Sequence, residues 1–436
     1  MRKKLLCVLL IACALLLSGC TTLAADADQL MSPPMPSGEL YYIQKALDGS
    51  VNENYTLKYP TGGDYRSAFV RRDIDGDGKS EAFAFYSTSA DNVVSMHVNL
   101  ILKKGDEWVS VGDFKYVASG VDSVEFSDMD GDGILEVIVG WSVYGSVDKS
   151  VGVYTVKNQV FAQRVIESYT NFMCRDLDGD GKTDLFLSYI DTANQTATAK
   201  LIGLNDQGAE EKGHVLLDGN VTSHAVPVVG KLLGGNTAVY IDAVKGDGMI
   251  TEILEIADGT MKNALQNEQD GTAMSTYRAS SVTVMDIDKD GVYEVPMLEL
   301  VTQGSYGNDN VYKTYWYAYD GKYMELKCAA FMNYADGWYI TVPEKWDDRI
   351  TVIRDTANRE RTFMRIDEET GNSAEVVAKI HTLPIDTPVS SIMTYGFDSF
   401  ELATSGQYKF VASLSTQDLP EGLTREEIKE MFYIIK

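Results

Sequence analysis

Four copies of a short acidic pattern constrain this chain more than any other feature. In each copy, acids occupy positions 1, 3, 5 and 9 of a nine-residue stretch, glycine occupies position 6, and an apolar segment follows. The copies are Asp73, Asp75, Asp77, Gly78 and Glu81; Asp128, Asp130, Asp132, Gly133 and Glu136; Asp176, Asp178, Asp180, Gly181 and Asp184; and Asp286, Asp288, Asp290, Gly291 and Glu294. Carboxylates held this close repel one another unless a cation lies between them, so the pattern predicts cation-binding loops.

Calcium suits such a loop better than magnesium does. Calcium accepts six to eight oxygen ligands in a flexible geometry, whereas magnesium requires a small octahedron and keeps its waters. The glycine at position 6 permits the sharp turn. At position 7 we expect ligation by the backbone carbonyl, which leaves the side chain free to vary as Lys79, Ile134, Lys182 and Val292. We therefore predict about four structural calcium ions.

EF-hands and dockerins carry a similar acidic run but also need an acid at position 12 and helical flanks. Position 12 is apolar in every copy here, as Ala84, Val139, Leu187 and Met297. The residues after each loop alternate or run apolar in the manner of a strand, as in 82–86 and 185–187. The loops are therefore predicted to join strands.

The spacing of the copies predicts a repeat architecture. The first-position aspartates are Asp73, Asp128, Asp176 and Asp286, so the last gap is about twice the others. A hidden repeat should lie near residue 231, where 228–241 keeps a strand, turn and strand rhythm without the acids. Repeats of about 50 residues with several short strands are typical of a β-propeller, here of about five to seven blades.

A strand, the DxDxDGxxD/E loop and an apolar strand, repeated in this way, resemble the FG-GAP/VCBS repeats of integrin-α-like β-propellers. The resemblance covers roughly residues 38–335. In that family the loops bind calcium structurally and the faces of the propeller bind ligands. The resemblance implies that the four acidic sets are metal ligands and that none of them is catalytic.

The first residues predict a bacterial lipoprotein. Arg2, Lys3 and Lys4 precede a short apolar run, and residues 17–20 end in Cys20 in the manner of a lipobox. We expect residues 1–19 to be a signal peptide, Cys20 to be lipidated, and residues 20–37 to form a tether. The protein would then be anchored by lipid to the cell surface, facing away from the cytoplasm. The alternative is an ordinary secretory signal.

The charge and the cysteine content of the chain limit which partners and covalent links are expected. The formal net charge is −26, which argues against nucleic acid, because phosphate backbones are bound by positive patches. Cys174 and Cys328 are the cysteines left in the body; a disulfide between them is possible, but their apolar surroundings favour buried free thiols.

The last hundred residues lack the acidic repeat and combine predicted strands with a predicted helix. Segments 338–342, 350–353, 362–366, 375–382 and 407–414 predict strands. Thr424 and Glu427 form a capping-box pattern that begins a final helix, with an apolar stripe that includes Ile428 and Ile435. The sequence therefore predicts a mainly β chain, a β-propeller over 38–335 followed by a small α+β domain over 336–436. The rival interpretation makes the first strands after 336 another blade.

No catalytic set is evident in the sequence. The four histidines are scattered, and His97 lies among alternating strand residues, which favours a structural role. We expect a calcium-binding surface lipoprotein that is not an enzyme and whose propeller binds a protein or glycan. The alternatives are an extracellular carbohydrate-active hydrolase or lyase on a propeller scaffold, and a purely structural component of the cell envelope.

Overall fold

The computed structural model describes residues 38–90, 93–142, 149–265, 274–302, 310–367 and 373–435. Within these residues the chain is mainly β, with two α-helices, which confirms the predicted fold class at this level. The leader, Cys20 and the tether lie outside the described residues. The chain divides into two compact units, Met1–Val121 with Lys157–Phe161, and Asp122–Val156 with Ala162–Lys436.

The first unit combines a helix with one antiparallel sheet. Helix α1 (Glu39–Ser50) packs against the sheet through Ile43 and Leu47, which lie one turn apart on its buried face. Sheet 1 has the order β1-β3-β4-β5, with β2 also paired to β3. Its strands are β1 (Tyr55–Leu57), β2 (Phe69–Arg72), β3 (Glu81–Ala90), β4 (Val93–Lys104) and β5 (Glu107–Tyr116). Helix α1 was not predicted from the sequence.

Sheets 2 and 3 are four-stranded, with neighbours in sequence also neighbours in the sheet. Sheet 2, which lies mostly in the second unit, contains β6 (Gly120–Ser127), β7 (Glu136–Ser142), β8 (Lys149–Lys157) and β9 (Val160–Tyr169). Sheet 3 contains β10 (Asn171–Arg175), β11 (Asp184–Asp191), β12 (Thr196–Asn205) and β13 (Gly208–Leu217).

Sheet 4 corresponds to the predicted repeat without acids. It contains β14 (Ser223–His224), β15 (Val228–Lys231), β16 (Thr237–Lys245), β17 (Gly248–Ala257) and β18 (Thr260–Asn263). Antiparallel pairing of β15 with β16 confirms the predicted strand, turn and strand rhythm. Leu232, in the turn, is buried, so an apolar anchor remains where the acids are missing.

Sheets 5 and 6 complete the second unit. Sheet 5 contains β19 (Val295–Thr302), β20 (Val311–Tyr319), β21 (Met324–Asn333), β22 (Trp338–Thr341) and the last strand, β28 (Phe432–Ile434). Sheet 6 has the order β23-β24-β25-β27-β26. Its strands are β23 (Ile350–Asp355), β24 (Glu360–Ile366), β25 (Ser373–Pro384), β26 (Phe397–Ser405) and β27 (Tyr408–Ser415).

The C-terminal helix begins where the sequence predicted it. In α2 (Arg425–Met431), Thr424 Oγ1 accepts from the Glu427 N–H at 3.2 Å and the Thr424 N–H donates to Glu427 Oε2 at 2.7 Å. The helix is shorter than the predicted stripe, because the chain turns into β28 and pairs with β22. Residue 336 lies in the turn between β21 and β22, and the predicted domain boundary there stays a prediction.

Successive sheets of the second unit share hydrophobic clusters. Alternation along β11 explains how: Leu185 and Leu187 pack with sheet 2, whereas Phe186 points the other way and packs with sheet 4. Tyr240 and Val295 belong to a cluster that joins sheets 4 and 5. A further cluster joins sheets 5 and 6. Sheets 3 to 5 are therefore covered on both faces by their neighbours in the chain.

Candidate metal centres

The four acidic stretches form loops between strands, as predicted. Loop 1 (73–81), loop 2 (128–136) and loop 3 (176–184) connect the first two strands of sheets 1, 2 and 3, counting β2 and β3 in sheet 1. Loop 4 (286–294) precedes β19, and an isolated bridge between Met285 and Glu294 closes it. The residue at position 2 is buried in every loop, as Ile74, Met129, Leu177 and Ile287. This apolar side chain anchors each loop to the core.

Backbone N–H groups hold the carboxylates in place, as loop 2 illustrates. Both oxygens of Asp128 accept, Oδ1 from the Gly131 N–H at 2.7 Å and Oδ2 from the Gly133 N–H at 3.0 Å. Asp130 Oδ1 accepts from the Asp132 N–H at 3.2 Å. Loops 1 and 3 repeat these bonds. The aspartates are therefore fixed by the fold of the loop.

Two positions in each loop require left-handed backbone. The position-6 glycines have φ between +83° and +88°, which confirms the predicted need for glycine there. Position 4 is also left-handed; it is glycine in loops 1, 2 and 3, but Lys289 in loop 4, with φ of +63°. The requirement at position 4 was not predicted from the sequence.

The folded loops bring acidic groups together closely enough to hold a metal ion. One oxygen from each of three acids lies within 4.8 Å of the others in every loop. Loops 1 and 2 group positions 1, 3 and 9, and loops 3 and 4 group positions 1, 3 and 5. Asp77, Asp132, Asp184 and Glu294 lie outside these groups. At position 7, the N–H of Lys79, Ile134, Lys182 and Val292 donates to the position-5 aspartate, and ligation by their carbonyls stays a prediction.

The ninth residue of loops 2 and 4 carries an unsatisfied buried oxygen. Glu136 is fully buried; its Oε2 accepts from the Met129 N–H at 2.8 Å, and its Oε1 has no partner in the described residues. Glu294 is also fully buried, with Oε2 accepting from the Ile287 N–H at 3.0 Å and Oε1 unpartnered. Burial, followed by the neighbouring aspartates, raises the pKa of each carboxyl to about 7. A cation is the group that fits such a donor set.

We expect Glu136→Gln to stabilise the metal-free protein above neutral pH and to remove calcium stabilisation at loop 2. The raised pKa means that Glu136 favours the fold when protonated, and this contribution is lost as pH rises from about 4.5 to about 7. The neutral amide avoids this loss but is a poorer calcium ligand. Thermal melting in chelator and in calcium, at pH 5 and pH 8, measures both effects. A variant less stable than the parent in chelator at pH 8 would contradict the interpretation.

Two lysines enter the acidic loops from β-bulges. Lys212 Nζ lies 2.7 Å from Asp178 Oδ2, 2.9 Å from Asp180 Oδ2 and 2.8 Å from Asp184 Oδ1 in loop 3. Burial opposes the charge of Lys212, but the three carboxylates outweigh it and raise the pKa of the ammonium. Lys327 Nζ lies 3.1 Å from Asp288 Oδ2 in loop 4 and also pairs with Asp290.

The register of the sheets explains these placements. Leu201 pairs with Gly213 and Ile202 with Glu211, so Lys212 is the extra residue of a bulge. Lys327 is the extra residue of the corresponding irregularity in sheet 5. A bulge redirects a side chain, and Gly203 leaves room for it, because a Cβ there would lie 2.7 Å from Lys212 Cε. Val111 occupies the bulge in sheet 1. The four loops are therefore not equivalent.

We expect Lys212→Met to strengthen calcium binding at loop 3 and to lower the melting temperature in chelator. Calcium must displace the ammonium in the parent, and without it the loop carboxylates lose their counter-charge. Calorimetric calcium titration and melting in chelator test the two effects. Lys182→Met, a position-7 change in the same loop, is the matched control. Weaker calcium binding in Lys212→Met than in the control would contradict the assigned role.

His97 is buried and hydrogen-bonded, with Nδ1 at 2.7 Å from Asp113 Oδ2 and Nε2 at 3.0 Å from Thr88 Oγ1, in keeping with a structural role. Cys174 and Cys328 are free thiols. Among the described residues, no helix combines the length and apolar character needed to cross a bilayer.

No family model and no curated protein matches the chain. Solved structures that resemble it include carbohydrate-active enzymes. A rhamnogalacturonan lyase of Bacillus licheniformis is 12% identical, with 52% of this chain and 57% of that chain covered and a TM-score of 0.30. Rhamnogalacturonan lyase YesW is 12% identical, with 74% and 68% covered and a TM-score of 0.31. An exo-β-1,3-galactanase of Phanerochaete chrysosporium is 11% identical, with 80% and 82% covered and a TM-score of 0.23. The chain spans 57% of the Bacillus licheniformis lyase, and TM-scores this low carry no argument about activity.

Proposed function

We propose that this protein is a calcium-stabilised β-propeller of the FG-GAP/VCBS type that acts as a binding module at a bacterial cell surface. The observation that supports it most directly is the buried, unpartnered carboxylate oxygen of Glu136, which belongs to a group of three acids that could hold a metal ion. Glu294 carries the same kind of oxygen in loop 4. Oxygen-only donor sets in a flexible loop favour calcium over softer or smaller cations. Calcium would supply charge neutralisation and rigidity, and the loop residues would supply its ligands.

The propeller is supported by the repeated sheets. Sheets 2 and 3 are four-stranded antiparallel meanders, and sheet 4 keeps the same order apart from its short extra strand. In the second unit each sheet packs on the next one in the chain. This is the order in which blades follow one another in a propeller. The loops between blades would then be the surface available to a partner.

The membrane anchor and the partner are the remaining parts of the proposal. Lipidation at Cys20 would hold the module at the membrane surface, and the net charge of −26 favours a partner other than nucleic acid. A protein or a glycan is the class of partner that we propose.

A carbohydrate-active hydrolase or lyase is the second candidate. Rhamnogalacturonan lyases and an exo-β-1,3-galactanase are among the solved structures that resemble the chain, at TM-scores of 0.31 or lower. The acids grouped in the four loops would be neutralised by a bound metal ion, so they are poorly suited to serve as an acid and base pair.

One experiment separates the two candidates. The chain lacking its first 19 residues would be incubated with rhamnogalacturonan and with β-1,3-galactan, in calcium and in chelator. Affinity electrophoresis measures retention, while assays for new reducing ends and unsaturated products measure cleavage. Retention without products supports the binding module. Products formed by the parent, and lost with a denatured control, would replace it with the enzyme.

A further inference from the structure

A cavity of about 290 Å³ lies between sheets 5 and 6, and no residue of the acidic loops lines it. Strands β20 and β21 line one side, strands β23 and β24 line the other, and residues 279–282 contribute a wall. Its volume is near the lower end of small-molecule sites, which commonly measure about 300–1,000 Å³. The cavity therefore has room for a compact ligand.

Arg361 is a buried cation that faces this cavity. Only 7% of the surface of Arg361 is exposed to solvent. The guanidinium makes two long hydrogen bonds, from Nη2 to Asn333 Oδ1 at 3.2 Å and from Nη1 to the Glu360 carbonyl at 3.3 Å. It forms no ion pair with any carboxylate in the described part of the chain. Burying a charge without an ionic partner is costly, so its place in the fold needs an explanation.

A second arginine increases that cost. Arg354 on β23 pairs directly with Arg361 on β24 and lines the same cavity. Like charges in directly opposed positions destabilise a sheet. Burial first, and Arg354 second, lower the pKa of Arg361 to about 10, although the nearby charge of Asp336 acts in the opposite direction. Both guanidinium groups line the same cavity, on a protein whose net charge is −26.

Two other arginines of this protein, by contrast, pair directly with a carboxylate. Arg278 is almost completely buried, and its Nη2 lies 2.7 Å from Asp242 Oδ1. Arg359, two residues before Arg361, donates from Nε to Asp336 Oδ1 at 2.7 Å. Arg361 differs from both, because its hydrogen bonds go to a neutral amide and a backbone carbonyl rather than to a carboxylate.

Hydroxyl groups complete the lining. Ser280, Ser281, Tyr312, Thr314 and Tyr334 all border the cavity. Hydroxyls and planar guanidinium groups together are the usual donors to carboxylate and phosphate oxygens, and arginine can bind either in a bidentate manner.

We propose that this two-arginine cavity binds the oxyanion of a small ligand or of a terminal unit of a larger one, either a carboxylate as in an acidic sugar or a phosphate. This inference deepens the proposed function by naming the chemical class of the ligand, and it rests on the binding role proposed there. The anion supplies the charge that Arg361 lacks, and the hydroxyls hold its remaining oxygens.

Binding of matched probes tests the proposal. Calorimetry on the calcium-loaded chain would use galacturonate, galactose, inorganic phosphate and sulfate. We expect saturable binding of at least one anion and none of galactose, which has the sugar ring without the carboxylate. Binding of galacturonate alone identifies an acidic sugar as the source of the oxyanion, and binding of phosphate alone identifies a phosphate. No saturable binding of any anion would overturn the proposal.

Variants on the same strand locate the site. Arg361→Met should weaken anion binding by roughly 10- to 100-fold, the range expected for a lost charge-assisted hydrogen bond. It should not lower the melting temperature, because a buried charge without a direct ion pair is removed. Arg365→Met is the control, since Arg365 also lies on β24 but pairs with Glu375 at 2.9 Å. Unchanged anion binding in Arg361→Met, or a loss of stability without anion binding in the parent, would show that Arg361 is structural.

The test of anion binding can fail or succeed independently of the test of calcium binding. Calcium binding without anion binding rejects only this inference. Anion binding without calcium binding rejects the metal assignment and leaves the two-arginine cavity in place.

Discussion

Replacing Asp242 by alanine should lower the free energy of unfolding by about 3–5 kcal/mol, the usual cost of leaving one member of a buried ion pair alone. Arg278 Nη2 lies 2.7 Å from Asp242 Oδ1, and both side chains are at most 3% exposed. Asp242 Oδ1 also accepts from Thr251 Oγ1 at 2.6 Å, and its Oδ2 accepts from the Val284 N–H at 2.7 Å. One carboxylate therefore joins β16, β17 and the segment leading to loop 4.

The exposed pair between Asp398 and Arg425 provides the control. Their side chains are 43% and 49% exposed, so Asp398→Ala should cost about 1 kcal/mol or less. Urea denaturation of the two variants and the parent measures the difference. Equal losses in both variants would show that burial of the Asp242 pair does not set its contribution.

Removing calcium should markedly lower the melting temperature. At free calcium ten times the dissociation constant, each site adds roughly 1.4 kcal/mol, so four sites add roughly 5–6 kcal/mol. For a chain of this size we expect melting in calcium to exceed melting in chelator by on the order of 10 °C. The buried carboxylates of Glu136 and Glu294 supply the physical reason, because without a cation their charges are uncompensated.

Thermal melting with calcium, magnesium or chelator tests this expectation. Magnesium is the control, since it gives up its water reluctantly and fits a flexible loop poorly. Identical melting temperatures in calcium and in chelator would contradict a structural role for the loops.

The sequence predicted the features that depend on local spacing. The acidic loops, the strands around them and the capping box of Thr424 and Glu427 follow from residues close together in the chain, and the structure confirms these local features. Sheet 4 was predicted from the rhythm of 228–241 alone. Helix α1 was missed because only Ile43 and Leu47 form its fully buried stripe, a short signal beside a strand-rich chain.

Features that depend on register and tertiary packing could not be predicted. Lys212 reaches loop 3 because a bulge redirects it across Gly203, and nothing in the local sequence marks the bulge. Arg354 and Arg361 meet through strand pairing and face a cavity whose other wall is formed by sheet 5. Local patterns therefore predicted the acidic loops, whereas the lysine counter-charges and the two-arginine cavity emerged only from the folded chain.

A direct count of bound calcium tests the central claim. The purified chain lacking its first 19 residues would be dialysed to equilibrium against calcium, with bound ions counted per molecule and magnesium run in parallel. We predict about four calcium ions per chain, with the site in loop 3 weaker than that in Lys212→Met. Binding of no calcium, or of magnesium equally well, would contradict the assignment of the acidic loops as calcium sites.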